Sequence, residues 1–174
     1  KTSSNMIRQN CEDGILRGIF DAAQTGLING NFGMTQSTVA TAAVVLDTMP
    51  DTGAMIDWVF ADADTQVTDS WSSNAQPDVV KGGGVWHALI DSVCRDGISE
   101  EVAPGYSSGW VDGLVQIADA LDGYDYESAD LYKNPKFLKM IDALYPLIMS
   151  RYATANIGDS GGVAYKEILA SSVN

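Results

Sequence analysis

The stretch Gln36-Ser37-Thr38-Val39-Ala40-Thr41-Ala42-Ala43-Val44-Val45-Leu46-Asp47-Thr48-Met49-Pro50 decides the class of fold. Its alanines, valines and leucine predict a helix from about Gln36 to Met49, ended by Pro50. Proline lacks a backbone N–H, and its ring clashes with the preceding turn. The threonines and valines are weak helix formers, so tertiary burial has to hold this segment. A second helix, Thr52 to Ala63, follows after a very short turn, which makes the two antiparallel neighbours. The unit is a helical hairpin.

The same periodicity extends in both directions. Upstream, Ile7, Cys11, Ile15, Leu16, Ile19, Phe20 and Ala23 draw one apolar stripe over Met6 to Leu27, weakened by Gly14 and Gly18, with Gly30 as its stop. Downstream, Asp64 to Gly84 loses periodicity and reads as a long loop, of the length that usually serves a function. The triple glycine Gly82-Gly83-Gly84 then opens a helix through Val85 to Val93. After a polar loop, Arg95 to Gly105, a helix runs from about Ser107 to Leu121. Pro135, suited to a first helical turn, leads another to about Tyr152, and Val163 to Ser171 forms a weak last helix. The expectation is an all-α chain, a single helical domain over residues 1–174, built of antiparallel hairpins whose long loops collect at one end. No sequence repeat at a fixed period is visible.

Length and composition fit one packed domain: 174 residues, 45% hydrophobic and 19% charged. The longest apolar run, Val39 to Leu46, is far shorter than the roughly 20 residues of a membrane-spanning helix. With 10 basic against 23 acidic residues the formal charge is −13, which opposes nucleic-acid and anionic-membrane binding, since both need clustered Lys and Arg. Cys11 and Cys94 show no CxxC and no nearby His, so neither metal nor cofactor is expected. They read equally as a disulfide or as two buried free thiols. Lys1 to Asn5 lacks the apolar core of a signal peptide, so the chain is expected to be mature, excised or never exported.

Three segments combine polar groups with glycine where helices begin or end: Asn29 to Gln36, Arg95 to Tyr106, and Asn156 to Gly162. Each has a plain structural reading. Asn31 suits a helix cap, Pro104-Gly105 suits a turn with Tyr106 packed on it, and Asp159 and Ser160 suit another cap.

Asn31-Phe32-Gly33-Met34, followed by Arg95-Asp96-Gly97 and Pro104-Gly105-Tyr106, resembles the heparinase II/III-like polysaccharide lyases. Ile157-Gly158-Asp159-Ser160-Gly161 resembles a later stretch of the same helical toroid, so the similarity covers most of the chain in order. The resemblance implies part of an (α/α) toroid, normally followed by a β-sandwich domain, and an extracellular or periplasmic location. It implies cleavage of a uronic-acid-containing acidic polysaccharide by β-elimination. The proton removed lies α to a carboxylate whose charge opposes carbanion formation, so that carboxylate has to be neutralised. By matching position Asn31 hydrogen-bonds the uronate and stabilises the developing enolate-like charge, while Tyr106 acts on the ring proton and the leaving oxygen. Tyrosine has a pKa near ~10, so cations are needed to favour its phenolate. Arg95 and Arg151 are the expected cations, Gln36 an additional carboxylate donor, and His87 a further substrate contact.

Two departures from the family stand out. Thr35 occupies the place where many relatives carry histidine, which would leave Tyr106 as both base and acid. The separation of Asn31 and Tyr106 is long for the family, and the polar stretch Asp64 to Gly84 accommodates an insertion. The chain has no room for the sandwich and is expected to show little or no activity alone.

Two other classes remain open. One is a toroid-fold glycoside hydrolase using carboxylates among Asp96, Glu100 and Glu101. The other is a non-catalytic carbohydrate-binding or interaction module, with Trp71, Trp86, Trp110, Tyr124 and Tyr126 offering rings for sugars. A polyanionic substrate also requires Lys81, Arg95 and Arg151 to focus positive potential locally against the overall negative charge.

Overall fold

A computed structural model describes residues 3–28, 30–62, 82–124, 126, 129–149 and 153–158. Seven α-helical segments carry them: α1 (Ser4–Cys11), α2 (Gly18–Gln24), α3 (Met34–Leu46), α4 (Asp51–Phe60), α5 (Val85–His87), α6 (Pro104–Leu121) and α7 (Pro135–Ala143). Wider π-helical turns at Glu12–Arg17 and Ala88–Ser92 join α1 to α2 and prolong α5. Strand pairing among the described residues is limited to Ile148–Met149 against Ala153–Thr154 and a single bridge between Val93 and Ser99. The chain is all-α.

The hairpin of α3 and α4 is antiparallel. At one end Thr52 donates its hydroxyl to the Ala43 carbonyl, and at the other Gly83 rests between Val59 and the Gln36 side chain. Asp47, in the left-handed conformation (φ 42°), ends α3 before Pro50 is reached, so the helix stops earlier than the proline implies. Helix α6 lies alongside α3 in the same direction, with Gly33 opposite Gly113 and Asp47 accepting from the Tyr124 hydroxyl at 2.8 Å. Val39, Met55, Ile56, Leu114, Ile117 and Phe137 are fully buried where α3, α4, α6 and α7 meet.

Several boundaries differ from the sequence expectation for identifiable reasons. The first helix ends at Thr25–Gly26, with Gly26 at φ +70°, short of Gly30. Its stripe is only partly covered: Ile7, Cys11 and Ile15 face solvent, whereas Ala23 is buried. Helix α6 begins at Pro104, which supplies the first helical position, so Pro104-Gly105-Tyr106 is a first helical turn instead of a loop. Helix α7 starts as expected, capped by Asn134 Oδ1 accepting from the N–H groups of Lys136 and Phe137. It ends at Ala143 instead of Tyr152, because Pro146 follows and cannot extend the α-helical ladder. Cys11 and Cys94 are exposed free thiols, neither buried nor paired. Of the loop expected over Asp64 to Gly84, residues 64–81 lie outside the described residues, as does the last expected helix, Val163 to Ser171. No described helix is long and apolar enough to cross a membrane.

The segment after α6 is tied down by tyrosines. Tyr124 donates to Asp47, Tyr126 to Asp57 and to the Gly53 carbonyl, and Tyr132 to Asp119, so three hydroxyls reach carboxylates contributed by the α3 cap, α4 and α6.

Candidate functional site

The Asn31 turn is a rigid piece of backbone. Gly33 caps α3 at φ +96°, a conformation that favours glycine. With no side chain at the cap, the reciprocal bond is supplied from the next turn. The Gln36 Oε1 accepts from the Gly33 N–H at 3.0 Å, and Gln36 Nε2 donates to the Gly83 carbonyl at 2.8 Å. The Asn31 carbonyl accepts from the Met34 N–H at 3.1 Å. On the other side the turn rests on α6. A Cβ at Gly113 would lie 2.7 Å from the Gly33 Cα, so only glycine on both sides permits this approach. Phe32 packs on Trp110, ring centroids 4.3 Å apart and tilted by 38°.

This packing leaves the Asn31 side chain exposed, with no hydrogen bond among the described residues. Asn31 is therefore not the cap of α3; Gly33 is. Tyr106 stands one turn before Trp110 on α6, half-buried, and its hydroxyl likewise has no partner among the described residues. Seven residues of helix separate Tyr106 from Gly113, about 10 Å along the axis. Tyr106 thus lies in the first turn of α6, and the Asn31 turn meets the same helix farther along, at Trp110 and Gly113. Trp110 itself is 4% exposed and its indole N–H finds no acceptor among the described residues, so its ring is packed and not offered to a ligand.

The loop leading into α6 is pinned at several points. Cys94 and Ile98 close a turn through Cys94 N–H to the Ile98 carbonyl at 2.8 Å, and Gly97 (φ +99°) backs onto the Lys139 carbonyl of α7. The buried hydroxyls of Ser99 and Ser107 bond at 2.9 Å, fastening this loop to the residue beside Tyr106. Val102, immediately before α6, sits at φ +62°, an outlier for a β-branched residue. Arg95 stands exposed in the Cys94–Gly97 turn and has no ion pair among the described residues.

The remaining expected residues divide clearly. Gln36 is not a free carboxylate donor: it is buried and both ends of its amide are engaged by backbone. His87 is exposed on the outer side of α5, its Nδ1 3.3 Å from Asp91 Oδ2, and reaches the Asn31 turn only indirectly through the Gly83–Gln36 link. Thr35 is half-buried in the first turn of α3. Arg151, Lys81 and Trp71 lie outside the described residues, as does Asp159 to Gly162. The beginning of that third segment is described, and Gly158 lies against Ala103, the residue capping α6. Among the carboxylates considered for hydrolysis, Asp96 accepts from the Ile98 N–H at 3.3 Å and Glu100 is exposed. Among the described residues no group of three or more potential metal ligands occurs.

Sequence reasoning did not find the Gly33–Gly113 contact or the left-handed Val102. A glycine in mid-helix and a valine in a loop carry no signal of either until the partner is known. Compared with protein-family models, curated proteins and solved structures, the chain matches none.

Proposed function

We propose that this chain is the helical part of a polysaccharide lyase, an (α/α) toroid segment that cleaves a uronic-acid-containing polysaccharide by β-elimination. What supports the reading is that the Asn31 amide and the Tyr106 phenol have no partner among the described residues, and that the Asn31 turn rests at Trp110 and Gly113 on the helix whose first turn carries Tyr106. The side-by-side, same-direction course of α3 and α6 also suits stacked hairpins, in which equivalent helices run parallel.

In this reading the Asn31 amide donates to the uronate carboxylate, lowering the cost of negative charge as it spreads from the ring carbon. The Tyr106 phenolate takes the proton from the carbon α to the carboxylate. The electron pair left behind forms the new double bond and expels the glycosidic oxygen, which recovers that proton from Tyr106. Atoms and charge balance without added water, and the product is a 4,5-unsaturated uronate. Arg95 supplies positive potential at the same end, and Gln36 serves by holding the Asn31 turn. The polymer, the downstream β-sandwich and an extracellular or periplasmic location belong to the same proposal.

The test uses the full gene product and uronate polymers, following the ultraviolet absorbance of the unsaturated end. Asn31→Ala and Tyr106→Phe are each expected to lower the rate at least about a hundredfold, as expected when a transition-state donor or the acid–base group is lost. Reducing ends that appear without the absorbance, and that persist in Tyr106→Phe, would establish hydrolysis and overturn the proposal.

A further inference from the structure

The α5 side of the Asn31 turn carries a surface that elimination does not use. Trp86 stacks on Phe60, centroids 4.8 Å apart and 26° from parallel, and both rings are half-buried. The backbone that presents Trp86 is fixed. A Cβ at Gly83 would lie 2.7 Å from the Val59 carbonyl oxygen and 3.1 Å from Gln36 Cγ, and Gly84 adopts φ +68°. Val85, Ala88, Leu89 and Val93 turn inward, leaving Trp86, His87, Ile90 and Asp91 on the outward arc, with Ile90 70% exposed. His87 and Asp91 form a donor–acceptor pair there at 3.3 Å.

A pyranose has apolar C–H faces and a rim of hydroxyls. An aromatic ring held from behind by a second ring and edged by a few polar groups complements both parts. The Gln36 bridge from the Gly33 N–H to the Gly83 carbonyl joins this surface to the Asn31 turn, so the two hold a fixed relation.

We infer that Trp86, backed by Phe60, is a stacking subsite for a sugar ring of the bound polysaccharide, and that His87 and Asp91 engage that ring's hydroxyls. The identity of the neighbouring ring as the one cleaved rests on the lyase reading; the stacking does not, because a pyranose face is apolar with or without a carboxylate.

The experiment measures binding of hexameric uronates and of neutral hexameric glucans to the full gene product by calorimetry and tryptophan emission. Trp86→Ala is expected to weaken binding about tenfold, in the range of an aromatic contact of roughly 1.4 kcal/mol. Trp86→Phe should retain most of the affinity. His87→Ala, at an exposed position whose loss does not endanger folding, should weaken binding a few fold. Wild-type affinity in Trp86→Ala and His87→Ala overturns the inference, as does failure of both sugar classes to bind the wild-type protein. Trp86-dependent binding of neutral sugars without any unsaturated product from uronates would uphold the subsite and defeat the lyase reading. Uronate elimination by Trp86→Ala with unchanged kcat and KM would do the reverse.

Discussion

Two glycines one turn apart on α6 should respond to alanine in opposite directions. Gly109 has nothing within 4 Å of the place where a Cβ would stand. Gly109→Ala therefore gains helix propensity at no packing cost, about 1 kcal/mol. At Gly113 the same propensity gain applies, but the new Cβ would lie 2.7 Å from the Gly33 Cα, 2.8 Å from its carbonyl carbon and 3.0 Å from its oxygen. Carbon atoms prefer roughly 3.5–4.0 Å, so the Asn31 turn has to retreat from α6 by close to 1 Å. Overpacking of this kind costs about 1–3 kcal/mol. The net expectation for Gly113→Ala is a loss of about 1 kcal/mol, and the two variants should differ by about 2 kcal/mol. For a chain of this size that corresponds to roughly 4–8 °C in Tm. Urea denaturation followed by helix circular dichroism measures the difference, and near-ultraviolet dichroism reports the Phe32–Trp110 contact that the retreat would disturb. In the full gene product the displaced turn should also reduce turnover, because a misplacement near 1 Å can cost about a hundredfold. If Gly113→Ala proved as stable as Gly109→Ala, the Gly33–Gly113 approach would not be the contact that seats the Asn31 turn.

Gln36→Leu should destabilise by about 1–3 kcal/mol for each of the two backbone groups it strands, and Gln36→Glu should destabilise too, since it keeps the acceptor for the Gly33 N–H but sets a buried carboxylate oxygen against the Gly83 carbonyl; equal stability of all three in urea would refute the bridge. Burial, aided by Asp119, pushes Tyr132 up to about 12. The folded state thus holds this proton more tightly than the unfolded chain, whose tyrosine titrates near ~10. The associated stability is complete below pH about 10 and is lost as pH rises through about 12, so Tyr132→Phe should flatten alkaline unfolding in that window, read by phenolate absorbance and dichroism. Val102→Asn should stabilise by about 1 kcal/mol, because asparagine tolerates the left-handed conformation that valine holds under strain; an unchanged or lower denaturation midpoint would contradict this.

The helix content was legible because burial in this protein follows helical periodicity closely. Val39, Ala43 and Leu46 face inward on α3, and Leu114, Ile117 and Leu121 on α6. Boundaries were less legible where one residue type has two meanings. Pro104 followed by glycine reads as a turn, yet a proline also opens a helix, and here it places Tyr106 in a first helical turn. The helix expected from Pro135 to about Tyr152 contains Pro146, which the backbone cannot follow as an α-helix. Gln36 was read by its chemistry as a donor. Its structural task was hidden because the usual signature of a reciprocal cap needs a hydroxyl or carboxamide at the cap position, and Gly33 has none. The tyrosine-rich stretch after α6 showed its composition but not its purpose, since each carboxylate partner lies on another element.

Charge distribution, more than total charge, decides whether this surface accepts a polyanion. Most of the described cations are engaged: Arg8 pairs with Glu12, Arg17 with Asp13 and Asp51, Lys133 with Asp130, and Lys136 donates to the Ile90 carbonyl. Arg95 is free of such pairing among the described residues, and it stands in the loop that Ser99 and Ser107 fasten to the start of α6. A chain with net charge −13 repels a uronate polymer at distances beyond a Debye length, but at 0.15 M salt that length is only about 8 Å. Within it, the unpaired Arg95 guanidinium acts alongside Asp96 and Glu100 of its own loop, while carboxylates beyond that length are screened. Physiological salt therefore removes more of the opposing global field than of the favourable local one. Uronate binding by this surface should consequently hold or strengthen between low and physiological salt, and Arg95→Ala should abolish that behaviour by removing the local charge.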